Sequence, residues 1–304
     1  MLSSKDLIKI SLDQGFVAAG ISSPFLVTKS DVYLKNWIRS GYHAEMQWMT
    51  KNVEIRTNVL KYYPWVKSIL VVADNYYLNH RREKGVLKIS RYAWGSDYHK
   101  IVKYKLKDVL NKLKISDSQI EGRIFVDTGP ILEKAFAVQA GLGWQGKNTN
   151  VVIKDFGSFC FLGVLLLNAP FEFNSPVKNR CGDCTSCIGD CPSGALVNPY
   201  VLDSRRCISY LTIEKRGEFS ADELNWLSNW LYGCDICQEV CPWNHKWAKN
   251  TGDTRYYDRL KQLERSPKEW MGLTEHRFQE LFKRSAVKRL KFDRLRRNLL
   301  AIIR

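Results

Sequence analysis

Cys181-Gly-Asp-Cys184-Thr-Ser-Cys187-Ile-Gly-Asp-Cys191-Pro192 is the stretch on which the reading of this chain turns. Its spacing is that of the bacterial ferredoxin run, in which three thiolates hold one iron–sulfur cluster and the fourth reaches a different one. A second cluster is therefore expected. A second run is present, Cys234-x2-Cys237-x3-Cys241-Pro242, but the position that should open it is Leu231. Two 4Fe–4S cubanes need about eight thiolates, and Cys207, the other cysteine within this module, is assigned as the missing one. The crossing rule then gives one cluster Cys181, Cys184, Cys187 and Cys241, and the other Cys191, Cys207, Cys234 and Cys237.

Structural zinc is the competing reading, since it also favours Cys-x2-Cys pairs and would make a basic, RNA-binding zinc protein. Zinc normally takes two such pairs, whereas here three cysteines recur at one spacing and both runs close with Cys-Pro. Disulfides are disfavoured in a reducing compartment. Cys160 stands outside the module, in an apolar run, and reads as a small buried hydrophobe.

Around the module lies a chain of 304 residues, 45% hydrophobic and 26% charged, long enough for a sizeable core and about two domains. That composition excludes disorder and fibrous repeats. The longest apolar run, Phe159 to Leu167, stops at nine residues and reads as a buried strand rather than a membrane span. The opening Met-Leu-Ser-Ser-Lys-Asp-Leu has no basic region followed by an apolar stretch, so no export signal and a cytoplasmic location are expected. The formal charge of +16 points to a polyanionic partner, nucleic acid first. The excess concentrates in Gln279 to Arg304, with nine Lys/Arg against two acids. The bland alternative for such a run is a solvated helix face.

Upstream of Pro176 the pattern mixes helices, at Ser4 to Gln14 and Lys29 to Ser40, with strand-like runs at Ser68 to Ala73, Val86 to Tyr92, Arg123 to Asp127, Asn150 to Lys154 and Phe159 to Asn168. Asp155-Phe156-Gly157-Ser158 between the last two is a hairpin signal. The fold class expected is α+β: an N-terminal α/β cofactor-binding domain with a mixed sheet (residues 1–175), a ferredoxin-like two-cluster domain (176–250) and a basic helical segment (251–304).

Two further motifs fail in context. Gly141-Leu-Gly143-Trp-Gln-Gly146 matches the dinucleotide pattern, but the fingerprint must follow a strand and open a helix. Here Ile131 to Ala140 reads as a helix, Gly141 as its stop, and the following residues enter a strand. Asp97-Tyr-His99 resembles the start of a cobalt-ligating Asp-x-His-x-x-Gly element, yet residue 102 is Val, so His99 reads as a satisfied loop histidine. His43, His80, His245 and His276 offer no metal-ligand pairing.

Taken together, Ile89-Ser-Arg-Tyr-Ala-Trp-Gly-Ser-Asp-Tyr-His99, Val126-Asp127-Thr-Gly-Pro-Ile-Leu-Glu133, Gly141-Leu-Gly-Trp-Gln-Gly-Lys-Asn148, Ser209-Tyr-Leu-Thr-Ile-Glu214 and Gly233-Cys-Asp-Ile-Cys-Gln238 resemble the epoxyqueuosine reductase family, which performs the last step of queuosine synthesis on tRNA. The similarity covers nearly the whole chain. Longer members carry a C-terminal helical-repeat extension that helps hold tRNA, and this chain ends at Arg304 as a short form without it.

The resemblance implies a cobalamin between the α/β domain and the two-cluster module. It also implies a tRNA substrate carrying epoxyqueuosine and a low-potential electron donor; no membrane and a monomer are expected. Turning the epoxide into an alkene takes two electrons, delivered singly by clusters, and protons for the departing oxygen. From sequence alone Asp127 is a turn or cap aspartate. The resemblance makes it the proton donor, which would require burial to raise its pKa. By the same matching Arg56, Ser90, Asp127, Gln145, Lys147, Asn148, Ser158 and Asp235 become cofactor-side candidates. Lys215, Arg216, Lys283, Arg284, Lys288, Arg289, Arg296 and Arg297 become candidates for tRNA phosphates. Alternatives are a two-cluster electron carrier, which would need neither the α/β domain nor the basic tail, and a corrinoid reductive dehalogenase. The latter usually carries a twin-arginine signal, whereas the early Arg pair here is Arg81-Arg82.

Overall fold

The computed structural model describes residues 2–26, 30–81, 83 and 85–304, so Lys29, the expected start of the second helix, and Arg82 lie outside the described residues. In chain order, α1 (Ser4–Asp13), β1 (Ala18–Ser22), α2 (Ser30–Arg39), α3 (Val53–Thr57), β2 (Ser68–Asn75), β3 (Lys88–Ile89), α4 (Tyr98–Ser116), β4 (Gly122–Phe125), α5 (Glu133–Gln139), β5 (Gly143–Gln145), β6 (Val151–Ile153) and β7 (Cys160–Leu167) precede the cysteine module. The module contains α6 (Ser186–Gly189), β8 (Leu196–Asn198), β9 (Val201–Leu202), α7 (Ile208–Ile213), α8 (Ala221–Leu227), β10 (Trp230–Tyr232), α9 (Ile236–Glu239) and α10 (Pro242–Trp247). The remainder holds α11 (Leu260–Leu263), α12 (Pro267–Met271), α13 (Glu275–Leu281) and α14 (Phe292–Ile302).

Two apolar stretches, Ile69–Ala73 and Val164–Leu167, build the main layer. They form the paired centre of a four-stranded sheet ordered β1-β2-β7-β4, with Val71 opposite Val164. Because side chains alternate across a strand, Leu70, Val72 and Leu165 face Leu7 of α1 and Leu106 and Val109 of α4. Ile69, Val71, Ala73, Val164 and Leu166 face Phe136 and Ala137 of α5 on the other side. Burial on both faces is why these strands show no polar alternation.

Three expectations need correction. The sheet is not mixed: β1–β2, β2–β7 and β4–β7 are all antiparallel, and parallel pairing among the described strands is confined to the short ribbon β3–β10. The residues flanking Asp155-Phe156-Gly157-Ser158 do not pair as a hairpin. Asp155 and Gly157 both take positive φ (66° and 78°) and Gly157 closes a bridge back onto Ile153, so the turn folds upon itself. β6 then pairs with β5, and the longer apolar β7 takes the buried centre of the sheet. The expected strand over Val86 to Tyr92 shrinks to β3, because a 3-10 turn begins at Arg91. The rejected dinucleotide motif sits in the β5–β6 ribbon after α5, and Gly141 (φ 74°) ends that helix in the left-handed conformation.

The basic tail is docked rather than solvated. Phe278, Phe282, Val287, Leu290, Leu295 and Leu299 share one core with Leu87, Ile89 and Trp94 of the N-terminal part and Leu231 and Tyr232 of the module. Asn298, fully buried, donates to the carbonyls of Thr212 (2.7 Å) and Leu231 (3.1 Å), fastening α14 to α7 and β10. No helix among the described residues is long and apolar enough to cross a membrane. The layer predicts a measurable penalty: Leu165→Ala, at a fully buried position, should lower unfolding free energy by about 2–5 kcal/mol in denaturant titration. A cost within error would show that this sheet face is not the core described.

Candidate functional site

The cysteines gather as the crossing pattern requires. Cys181, Cys184 and Cys187 line one small cavity together with Cys241 from the second run, beside Lys147, Asn148, Pro242 and Trp243. Cys-Pro has a local purpose, since Cys241 caps α10 and Pro242 occupies its first turn, where a missing N–H costs nothing. Burial pushes the Cys187 thiol up to about 11, and the neighbouring Cys241, Cys181 and Cys184 add to the shift. The second group forms deeper. Burial raises Cys237 well above the usual thiol range, followed by the influence of Cys207, Cys234 and Cys191. Cys207, at the N-terminal cap of α7, therefore stands where the eighth ligand is expected.

Burial and neighbouring sulfurs raise the thiols of Cys187, Cys207, Cys234, Cys237 and Cys241, and iron supplies the positive charge that would make them thiolates. The two groups thus fit clusters in number, chemistry and crossing. Among the described residues, no group of three or more His, Cys, Asp or Glu is set to hold a lone metal ion. Cys160 is apart from both groups, at the edge of the neighbouring cavity.

That cavity, about 390 Å³, opens between the sheet layer and the module. Its wall includes Tyr76, Tyr92, Tyr98, Asp127, Glu133, Lys134, Ser158, Phe161 and, from the module, Ser209. The Tyr98 ring lies parallel to Phe161 (4.1 Å, 1°) and stacks on His99 at 4.0 Å. Asp127 follows β4 in the left-handed conformation (φ 59°), which aspartate tolerates better than most residues. At Gly129 a Cβ would meet the Phe125 ring at 2.2 Å, so the loop that carries Asp127 can close over β4 only with glycine there.

Three polar side chains meet at Asp127, and a fourth, Asp97, holds one of them. The Tyr98 hydroxyl donates to its Oδ2 at 2.8 Å and His99 Nε2 lies 3.2 Å from the same oxygen. The other His99 nitrogen, Nδ1, lies 2.7 Å from Asp97 Oδ1, and Glu133 Oε1 accepts the Asp127 amide at 2.6 Å. The electrostatics correct the expectation for Asp127. Burial works to raise its pKa, but the hydrogen bonds from His99 and Tyr98 outweigh it and hold the carboxyl below the ordinary range. Burial opposes charge on His99 as well, yet its bonds to Asp127 and Asp97 lift it to about 9. The raised carboxyl is Glu133, pushed up to about 8 by burial and then by the adjacent Asp127 charge. His99 escapes a reading by motif because its partner Asp127 is 28 residues away, and Glu133 carries no motif. The signal that could have found them is the pair Asp97-x-His99, which reads equally as a helix cap; Asp97 indeed caps α4.

The other expected site residues scatter. Ser158 lines the large cavity and donates to Gln238 Oε1 at 3.0 Å. Lys147 Nζ donates to the Gly182 and Cys184 carbonyls (2.6 and 3.0 Å), and Asn148 to the Cys237 carbonyl (3.0 Å), so both brace the cysteine loops. Ser90 and the fully buried Asp235 form a hydrogen-bonded network with Arg91 that joins the end of β3 to the second run. Gln145 is exposed. Arg56 reaches the Gly129 carbonyl at 3.5 Å, and its buried Nε has no hydrogen-bond partner.

Of the basic candidates, Arg216, Lys283, Arg284, Lys288, Arg289 and Arg296 are exposed, whereas Lys215 pairs with Glu223 at 3.0 Å. Arg289 pairs with Glu214 and contributes to lowering Asp127, so the tail's charge reaches the cavity edge. Arg297 departs from expectation. Its guanidinium donates to the carbonyls of Leu211, Lys215 and Gly217 and covers Phe219, a packing role that engages it within the chain.

Residues 180–244 match the family model of a 4Fe-4S double cluster binding domain, and residues 56–128 match the model described as epoxyqueuosine reductase QueG, DUF1730. An epoxyqueuosine reductase of Cellulophaga algicola is 37% identical over 97% of this chain and 96% of its own length. One of Atelocyanobacterium thalassa is 41% identical over 98% of each. Among solved structures, an epoxyqueuosine reductase with an epoxyqueuosine-modified tRNA-Tyr stem loop superposes with a TM-score of 0.90 at 28% identity, covering 98% of this chain and 80% of that one. That of Streptococcus thermophilus gives 0.89 at 27% identity with the same coverage. With this much of its length matched at this identity, the chain belongs to the epoxyqueuosine reductase family.

Proposed function

We propose that this protein reduces epoxyqueuosine to queuosine in the anticodon loop of tRNA, with residues 1–175 binding the cofactor, 176–250 relaying electrons and 251–304 contributing contacts to RNA. The observation that carries the reading is one cavity flanked on one side by a double four-thiol module and on the other by a coupled carboxylate–imidazole cluster. A carrier of electrons alone has no use for the second half of that arrangement.

Cobalamin fits the cleft on three observations. The parallel Tyr98 and Phe161 rings offer a flat wall, the unpartnered Arg56 Nε beside the Asp127 loop offers a donor, and both His99 nitrogens are engaged by carboxylates, which leaves His99 to proton handling. Arg56, Asp127 and Ser158 would hold it, while Ser90, Gln145, Lys147, Asn148 and Asp235 would support it from behind. When bound, a corrinoid stores at one centre the two electrons that clusters deliver singly.

The chain's own residues then manage protons. At pH 7 His99 is charged, Asp127 ionised and Glu133 protonated, each by the shifts given above. The first proton passes from the charged His99 Nε2, which Asp97 holds in orientation, through the ionised Asp127 to the departing oxygen, and protonated Glu133 holds the second. The oxygen, which would otherwise leave as an alkoxide, ends as water. Exposed Arg216, Lys283, Arg284, Lys288 and Arg296 would neutralise phosphates without reading sequence, and the base would be read splayed out of its loop.

Asp127→Asn should retain iron and cobalamin yet lose about 10²–10⁴-fold in conversion of epoxyqueuosine-tRNA, followed by nucleoside chromatography; an active variant returns Asp127 to a structural role. Since His99 must be protonated to supply Asp127, turnover should fall as pH rises through about 9. In His99→Asn that alkaline limb should disappear along with most of the rate, and a persistent limb would assign it to Glu133. Cys207→Ala should lose about half the iron, and full retention would remove it from the ligand set. Replacing Lys283, Arg284, Lys288 and Arg296 by Ala should reduce the slope of log affinity against log salt by about 0.7 for each phosphate no longer neutralised. An unchanged slope would leave the tail out of the interface.

A further inference from the structure

The two thiol groups differ in access to solvent. Cys184 is exposed and Gly182, Asp183 and Thr185 around it are exposed too, whereas all four cysteines of the other group are only partly exposed and Ser209, two residues after Cys207, lines the reaction cavity. Electrons must therefore enter at the Cys181–Cys184–Cys187–Cys241 group and leave from the other. The surface around the outer group has the anatomy of a docking patch. At its centre Pro242 is exposed and Trp243 half-buried, and Trp243 Nε1 donates to the Arg180 carbonyl at 3.1 Å, drawing the segment before Cys181 against α10. At its rim stand exposed Lys178, Arg180 and Lys246, the last with its Nζ 5.8 Å from the Trp243 ring centre, and Lys147 over the cysteine loop. Against these four cations the outer cysteine loop sets Asp183 and Asp190. An apolar centre with a charged rim is how transient protein interfaces are built, and the rim's sign selects the partner.

We propose that this face receives an acidic, one-electron redox protein of the ferredoxin kind, an inference that rests on the proposed function and adds the route by which it is fuelled. Each encounter moves one electron: the donor's cluster is oxidised by one and the outer cluster of this chain is reduced by one. Two encounters supply the pair that, with two protons, turns one epoxide into one alkene and one water. The cationic rim raises the encounter rate at low salt, and the wide, open edge at Cys184 shortens the transfer path.

The test compares the anaerobic, cluster-loaded protein with Lys178→Glu/Arg180→Glu/Lys246→Glu and with a control carrying the same reversals at exposed Lys103, Lys107 and Lys112 of α4. Reduction by an acidic plant-type ferredoxin is followed by stopped-flow bleaching, and binding of the oxidised ferredoxin by calorimetry. The patch variant should be reduced by ferredoxin about tenfold more slowly at low salt, lose most of its salt dependence and bind the ferredoxin more weakly, while at high salt, where steering of the dithionite anion is screened, dithionite reduces it as fast as the parent. The α4 control should behave as the parent. A patch variant indistinguishable from the parent, or an equal loss in the α4 control, would overturn the docking face. Parent protein whose clusters neither ferredoxin nor dithionite can reduce would instead overturn the proposed function, and this face with it.

Discussion

The last cysteine of each run belongs to the other run's sulfur group, and this exchange governs the rest of the structure. Cys241 joins Cys181, Cys184 and Cys187, while Cys191 influences Cys234 and Cys237. Two segments distant in the chain are thereby held side by side, and everything between them, including α7 with Cys207 at its cap, is placed as a consequence. Two sulfur groups that share both runs in this way are necessarily close, and one of them reaches the surface at Cys184. The polar braces around them serve that geometry: Asn148 on the Cys237 carbonyl, Lys147 on the Cys184 carbonyl and the Ser90–Asp235–Arg91 network fix the module to the sheet layer.

On the far side of the cavity the constraint is electrostatic. Three acids and one imidazole crowd a small volume, and they cannot all be charged alike. Asp127 keeps its charge because His99 and Tyr98 donate to it, and Glu133, enclosed and next to that charge, keeps its proton instead. Charge and protons are thus divided among neighbours rather than set by one raised carboxyl. Arg289 connects this cluster to the basic tail, so the charge of a tail anchored by Asn298 and Arg297 bears on the acids at the cavity.

What could be read in the sequence follows the range of each signal. Cysteine spacing is local and chemically demanding, so the gathering of the eight cysteines into two groups, Cys207 among them, was legible. The apolar run of β7 was legible because burial on both sides removes ambiguity. Its partners were not, since Asp155-Phe156-Gly157 specifies a turn without saying which strands it serves. The role of His99 depends on a through-space contact to Asp127 that no periodicity encodes, and the lowered carboxyl of Asp127 depends on that same contact. Arg297 looks like its exposed neighbours in sequence, and only packing shows that it covers backbone carbonyls.

Eight sulfurs gripping two neighbouring cubanes is the claim on which the chemistry stands. Iron and acid-labile sulfide analysis of anaerobically purified protein, read together with electron paramagnetic resonance of its reduced form, tests it most directly. About eight irons and eight sulfides per chain, with the two reduced centres broadening each other's signals, are expected. Protein that is colourless, or that holds zinc and no sulfide, would contradict the account at its root.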